Sequence, residues 1–526
     1  MNDSNSCLAS HPEGEPFAEP ADFPPPHRID TFGGPVRARW ESAPAVTRNG
    51  GLAYFIDFLK ASNTWTEFVN SCPLTYSSPN APTKEEILAT LVYSILIGQR
   101  RYAHMAALSG DKVMATLFGV KTFRSQDSAR RAFENADEEA ITTWIDQQMD
   151  RTFAPLLELP WALDLDATIK VLYGDQEEAR VGYNPTKPGR PSHVYQVMVL
   201  APGKLVLNVD TQAGDQSASV YAQPTHFFLR GGWLEARDRK QWPAFVRGDI
   251  AHGNEGMMAG LEKLDLPYLF KLRQTDNVSK TIARLAKQGK KAEWQDSGQG
   301  WESLETSLRL QGWTRERRVI VSRRKTAEQK VEASEKGGKQ RVLPGMRVEH
   351  RGGEWYEYSV LVTSREERDL ARLTQDYRNR ADAENMFDEL KNQWGWTGYT
   401  TRDTKRSQLM ARLVALVYNW WGIFTRMGTG GTHREAITTR PALMEGVAKR
   451  TAHGREVSLN MTSLHSKAKK IANLLSGISQ YLHKFLAGAT QLDGRERWTT
   501  LLRKIFWYFY QGSPQPGGPI TPLAVG

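Results

Sequence analysis

"QDYRNRADAENMFDELKNQWGW" (residues 375–396) decides how this chain is read. Tyr377, Arg380, Glu384 and Lys391 follow one another at intervals of three, four and seven residues. At about 100° per residue they share one face of a single predicted helix. A phenol, a guanidinium, a carboxylate and an ammonium on one face make a chemical surface. Arg380 and Glu384 alone would be an ordinary i,i+4 ion pair on a solvated helix, so the rest of the chain has to choose between these readings.

The chain has 526 residues, room for three or four domains, and a formal net charge of +10. Such a balance points to a polyanionic partner, nucleic acid or a membrane surface, and it is concentrated in "RERRVIVSRRK" (315–325) and "KAKK" (467–470). Two cysteines, Cys7 and Cys72, make neither a disulfide framework nor a cysteine zinc site. Free thiols in a reducing cytoplasm are expected. The first thirty residues are acidic and proline-rich with no apolar core of a signal peptide, and are expected to be disordered. The apolar run "SQLMARLVALVYNWWGIFTRM" (407–427) is interrupted by Arg412, Asn419 and Arg426. It reads as a buried helix rather than a membrane span, and no membrane partner is expected.

In "APTKEEILATLVYSILIGQRRY" (81–102), Thr83 and Glu86 form a capping box, Ile87, Leu91 and Ile95 an apolar row, and Gly98 an exit. Short helices follow, the last capped by Ser125 and exposing Gln126, Arg130 and Arg131. They suit a helix-turn-helix DNA reader and a plain helical bundle about equally. "PWALDLDATIKVLYG" (160–174) alternates as a strand, with Asp164 and Asp166 on one face. With "VYQVMVLAPG" and "KLVLNVDT" it predicts an antiparallel meander. In "PAFVRGDIAHGNEGMMAGLEKLDLPYLFKLR" (243–273), Asp249 sits just past a strand. Open α/β sheets place functional groups there, although a capping role is the commoner fate of such an Asp.

The predicted organisation is a disordered segment at 1–45 and a helical domain, a candidate for DNA binding, at 46–155. The first part of an α/β core spans 156–274 and a mostly β insertion 275–365. The second part of the core, with the Glu384 helix, spans 366–428. A helical C-terminal domain at 429–512 carries the stripe Ile471, Leu474, Leu475 and Ile478, and a disordered tail occupies 513–526. Acid on a first strand, acid past a later one and acid on a late helix is the layout of an RNase H-like core. Three carboxylates suit a pair of magnesium ions that clamp attacking and leaving oxygens in phosphoryl transfer. His252 lies near Asp249, but no second His or Cys stands at zinc-ligand spacing.

The order Tyr377, Arg380, Glu384, Lys391 resembles the Tyr-Arg-Glu-Lys signature of DDE transposases from bacterial insertion sequences. The segments around Asp166 and Asp249 look like those of the IS-thirteen-eighty type, and the resemblance runs from about residue 50 to residue 427. It implies Asp166, Asp249 and Glu384 as catalytic metal ligands, with Asp164 a rival for the first position. Mg2+ is the implied cofactor, two ions per site, with Mn2+ able to substitute. It also implies that Tyr377, Arg380 and Lys391 grip DNA phosphates. Ile250-Ala251-His252-Gly253 departs from the family's usual Ser-Gly-Phe after the second aspartate.

The implied activity is binding of terminal inverted repeats, hydrolytic cleavage of the ends and strand transfer to target DNA. A homodimer on paired ends and a bacterial, nucleoid-associated location go with it. Lys187 and Arg190, beside Arg180, would line the DNA channel or form a solvated hairpin tip, and Arg130 and Arg131 would contact end DNA. Trp294, Trp301, Trp313 and Trp355 are candidates to stack a flipped base in the insertion, core roles being the commoner fate. The other functional readings are a domesticated non-catalytic DNA-binding protein and another RNase H-like nuclease.

Overall fold

The computed structural model describes residues 26–38, 45–76, 78–184, 187–216, 233–287, 293–326, 347–351 and 354–506. The readings made for 1–25 and 513–526 lie outside them. Within residues 1–45, expected to lack structure, β1 (His27–Thr31) and β2 (Gly34–Ala38) pair as an antiparallel hairpin. Gly34 at its turn has φ +104°, a conformation that favours glycine.

Residues from Val46 onward make one compact unit. Its centre is a mixed sheet with eleven strands among the described residues. β4 (Ala162–Val171), β6 (Pro191–Ala201) and β7 (Leu205–Ala213) form the predicted meander, and the short β5 (Arg180–Val181) also pairs with β6. On the other side β4 runs parallel to β8 (Phe245–Gly248), and β8 parallel to β9 (Tyr268–Lys271). The helix Glu255–Lys263 connects these two.

The insertion is not a separate sheet. Besides the helix Asp276–Lys287 it supplies β10 (Gln295–Asp296), β11 (Trp301–Leu308), β12 (Arg317–Thr326), β13 (Arg347–Arg351) and β14 (Glu354–Thr363). β14 pairs with β9 through Leu361↔Lys271, Val362↔Phe270 and Thr363↔Leu269, so these strands extend the central sheet.

The helix Thr404–Gly428 is buried along almost its whole length and lies against β7 and the helices Glu138–Phe153 and Lys84–Leu96. Asp403 caps it by accepting from Arg406 N at 2.7 Å. Its polar residues seal the outer edge of β7. Asn419 accepts from Val206 N at 2.9 Å and donates to Val206 O at 2.8 Å, and Arg412 Nε donates to Val209 O at 2.9 Å. Arg412 also holds Asp146 at 2.7 Å and Asp210 at 2.8 Å. The same residues that argued against a membrane span therefore cover an otherwise open strand edge. No helix among the described residues is long and apolar enough to cross a membrane.

The flanking helices share this core rather than forming their own. Phe55, on Leu52–Ala61, packs edge-on to Phe424 at 5.4 Å between centroids, and Phe68 packs edge-on to Trp420 at 5.2 Å. The helix Ala468–Gly488 buries Leu475, Ile478, Leu482 and Phe485, and packs on Leu52–Ala61. The capping box of Thr83 and Glu86 is present, and Gly98 exits its helix at φ +75°. The C-terminal region, expected to be helical throughout, contains the hairpin β15 (Ala448–His453) and β16 (Glu456–Met461). It is joined to β3 (Val46–Thr47) at the other end of the unit.

Candidate active site

Parallel pairing sets the first two carboxylates side by side. Leu165 on β4 lies opposite Gly248, the last residue of β8, so Asp166 comes next to Asp249. Asp166 is buried; its Oδ1 accepts from Ala167 N at 2.8 Å and its Oδ2 from Arg380 Nη1 at 2.6 Å. Burial pushes its pKa above the ordinary carboxylate value, the Arg380 charge opposes this, and Asp249 adds to it. Asp249 has a depressed pKa: burial works against its charge, but the hydrogen bond and charge of His252 outweigh that. Its Oδ1 accepts from Ala251 N at 2.9 Å and from His252 Nδ1 at 2.8 Å. His252 is buried, and a Cβ at Gly248 would stand 2.6 Å from its ring, so the glycine makes room for the histidine.

Arg380 is the hub. Its Nη2 reaches Glu384 Oε1 at 3.0 Å while Nη1 holds Asp166. Burial disfavours its charge, yet Asp166, Tyr377, Asp249 and Glu384 together hold its pKa above the ordinary arginine value. The Glu384 side chain is 64 % exposed, whereas that of Arg380 is 10 % exposed. Tyr377, largely through burial, has its phenol pushed up to about 12, with Arg380 opposing. Lys391 has a lowered pKa from burial, which the nearby Asp166 charge counteracts. Lys271 on β9 joins the group: burial and then the Arg380 charge lower its pKa, while Glu384 and Asp249 raise it.

The helix of the opening sequence is broken. Leu370–Arg378 and Ala381–Gln393 are separate helices, with Asn379 and Arg380 between them. Arg380 N bonds to Tyr377 O at 3.0 Å, three residues back, instead of to Asp376 O. That carbonyl is taken by Arg247 Nη1. A side chain inserted into the i→i−4 ladder breaks a helix, and here the side chain comes from β8. Arg247 is itself fixed by Asp164, which accepts from its Nε and, at 2.7 Å, from its Nη2. Asp164 is thus committed to Arg247, and of the two carboxylates on that face Asp166 is the one whose charge interacts with that of Asp249.

The remaining predicted contacts lie elsewhere. Lys187 hydrogen-bonds Tyr173 and sits 5.0 Å from its ring centroid, and Arg190 lies 5.5 Å from the same ring, both exposed at the β4–β6 hairpin tip. Arg130 and Arg131 are exposed on the six-residue helix Gln126–Arg131, and Arg130 pairs with Asp127 at 2.9 Å. Arginines cover the faces of three candidate tryptophans: Arg323 on Trp294 at 3.9 Å, Arg324 on Trp301 at 4.8 Å and Arg317 on Trp313 at 5.2 Å.

The sequence reading missed Arg247 and Lys271 and considered His252 only as a zinc ligand. A charged residue inside a short apolar strand, as in "FVRGD" and "YLFKLR", was the available signal for the first two.

A family model described as transposase DDE domain group 1 matches residues 77–482. No curated protein sequence matches the chain. Among solved structures, the cryo-EM structure of the piggyBac transposase synaptic complex with hairpin DNA is similar at 11% identity. The match covers 90% of this chain and 87% of that chain, with a TM-score of 0.38. With well over half of its length matched by that model, the chain belongs to the transposase DDE domain group 1 family.

Proposed function

We propose that the chain is a DNA transposase of the Tyr-Arg-Glu-Lys, IS-thirteen-eighty type, cutting element ends and joining them to target DNA from a carboxylate site of Asp166, Asp249 and Glu384. The observation that carries this reading is one guanidinium, Arg380, hydrogen-bonded to Asp166 at 2.6 Å and Glu384 at 3.0 Å, with Asp249 near enough to act on its charge. β7, β6, β4, β8 and β9, with acid on β4, past β8 and on a late helix, support an RNase H-like core. The division of that core into 156–274 and 366–428 around the 275–365 insertion belongs to the same proposal.

Among the described residues no three His, Cys, Asp or Glu side chains are gathered as a metal cage. The donor set nonetheless fits a hard divalent cation. Two carboxylates face each other, and a third shares their guanidinium counter-ion and remains exposed enough to turn. Asp166, Asp249 and Glu384 would hold Mg2+, or Mn2+ in its place, which polarises phosphoryl oxygens and stabilises charge on the attacking and leaving oxygens. His252 orients Asp249. Arg380, released from Asp166 and Glu384, offers a planar fork to a phosphate, with Lys391 and Lys271 as point charges and Tyr377 as a neutral donor. Lys187, Arg190, Arg130 and Arg131 add exposed backbone contacts to duplex DNA. A homodimer on paired ends and a bacterial, nucleoid-associated setting complete the proposal.

The test is strand cleavage of linear DNA carrying the gene's flanking sequences, with magnesium, by wild type and Glu384→Gln. Wild type cuts at a repeat boundary, and the variant binds without cutting. Equal cutting by the variant removes Glu384 from the site.

A further inference from the structure

Between Val447 and Lys470 the chain carries Lys449, Arg450, Arg455, Lys467, Lys469 and Lys470 against a single acid, Glu456. β15 and β16 form a ribbon closed by Gly454 at φ +59° and Arg455. The pairs Lys449↔Asn460, Thr451↔Ser458 and His453↔Glu456 give it one wholly polar face, on which Asn460 Nδ2 donates to Thr451 Oγ1 at 3.0 Å. β3 pairs only with Ala448 and Lys449, and beyond Ala448 no side chain of the ribbon is buried.

An isolated two-stranded ribbon is marginal in water, so one that projects without an apolar cover gains little from its own packing. Among the described residues Lys449, Arg450, Arg455, Lys467 and Lys469 make no ion pair, the nearby acid Glu445 facing Arg48 at 3.7 Å. The helix that follows, Ala468–Gly488, starts at Lys467 with no side-chain cap and no acid in its first turn. Lys467 and Lys469 therefore add cationic charge to the positive end of the helix dipole, an arrangement that a bound anion relieves.

We propose that this ribbon, with the start of the helix behind it, is a clamp for the phosphate backbone of duplex DNA. It stands on a different sheet from Asp166 and grips without reading sequence. A two-stranded β-ribbon fits the major groove, and duplex DNA presents a phosphate charge about every 1.7 Å of axis to the cationic side chains. The inference rests on the transposase reading and adds a second DNA contact to it.

The experiment uses the full chain and measures affinity for a linear duplex across a salt series. It compares wild type, the triple variant Lys449→Gln/Arg450→Gln/Arg455→Gln, and Arg455→Glu. Wild type sets the reference slope of log affinity against log salt. The triple variant is shallower by about 2 to 3 and Arg455→Glu by about 1, since each lost phosphate contact removes roughly 0.9. The loss is the same on duplexes of unrelated sequence. Arg455→Glu, at the turn, carries the test if the triple variant melts early. Unchanged slopes in both overturn the clamp. Failure of wild type to bind any duplex overturns the transposase reading as well.

Discussion

Arg247 donates to the main-chain carbonyl of Asp376, the acceptor that Arg380 N–H would use in an unbroken helix. The break sets where Arg380 and Glu384 fall relative to Tyr377. Arg247→Met removes the wedge and strands the buried Asp164 carboxylate, at a cost of about 3–5 kcal/mol in chemical denaturation. Adding Asp164→Leu recovers most of that stability without restoring the break. The double variant therefore folds but cleaves on the order of 100-fold more slowly, the scale of an ångström-sized misplacement. Wild-type cleavage by the double variant rules the wedge out as a positioning device.

His252 donates to Asp249 from a buried position, and the hydrogen bond reaches an ionised acceptor. His252→Ala loses about 1.5–3 kcal/mol of stability. Its maximal cleavage rate falls while half-saturation by DNA is unchanged, because Asp249 loses orientation rather than DNA contact. A shift in half-saturation alone would place the histidine at the DNA instead.

Arg380 neutralises Asp166 and Glu384 when no other cation is there. Arg380→Gln leaves the buried Asp166 without its partner, and thermal unfolding then responds to magnesium more strongly than in wild type, as ligand linkage requires. Chelator brings the variant's Tm down and leaves wild type nearly where it was. Equal responses in the two proteins would mean that the guanidinium and the metal do not share these carboxylates.

Lys170, on the same strand as Asp166, is buried and donates to Gly398 O at 2.9 Å. Burial pushes its pKa down to about 8 from 10.5. Below about pH 8 folded and unfolded chains both hold the proton, and the desolvation penalty is present in full. Between 8 and 10.5 the unfolded chain binds more protons, so stability rises with pH, by up to about 3 kcal/mol across the window. Lys170→Met flattens that rise in urea titrations, and a parallel pH profile in the two proteins would remove the lysine as its source.

The meander, the strand before Asp249 and the buried helix through Arg412 and Asn419 were legible because local periodicity and burial agree in them. The broken helix was not, since its cause is a side chain 129 residues away in sequence. Nothing between Tyr377 and Glu384 marks the break, and Asn379 and Arg380 both keep helical dihedrals. The β15–β16 ribbon was read as helix because exposure on both faces erases the apolar alternation by which strands are recognised. The insertion's strands were legible as strands, but their attachment to β9 is a long-range pairing that no local pattern encodes.

The β9–β14 pairing also decides what can be cut away. A chain lacking residues 275–365 would leave β9 as a bare hydrogen-bonding edge built of Tyr268, Leu269, Phe270 and Lys271, of which the first three are fully buried in the intact protein. Open edges of that composition recruit other chains. A fragment of this protein trimmed of the insertion is therefore expected to aggregate, and the insertion can be replaced only by something that offers β9 another strand.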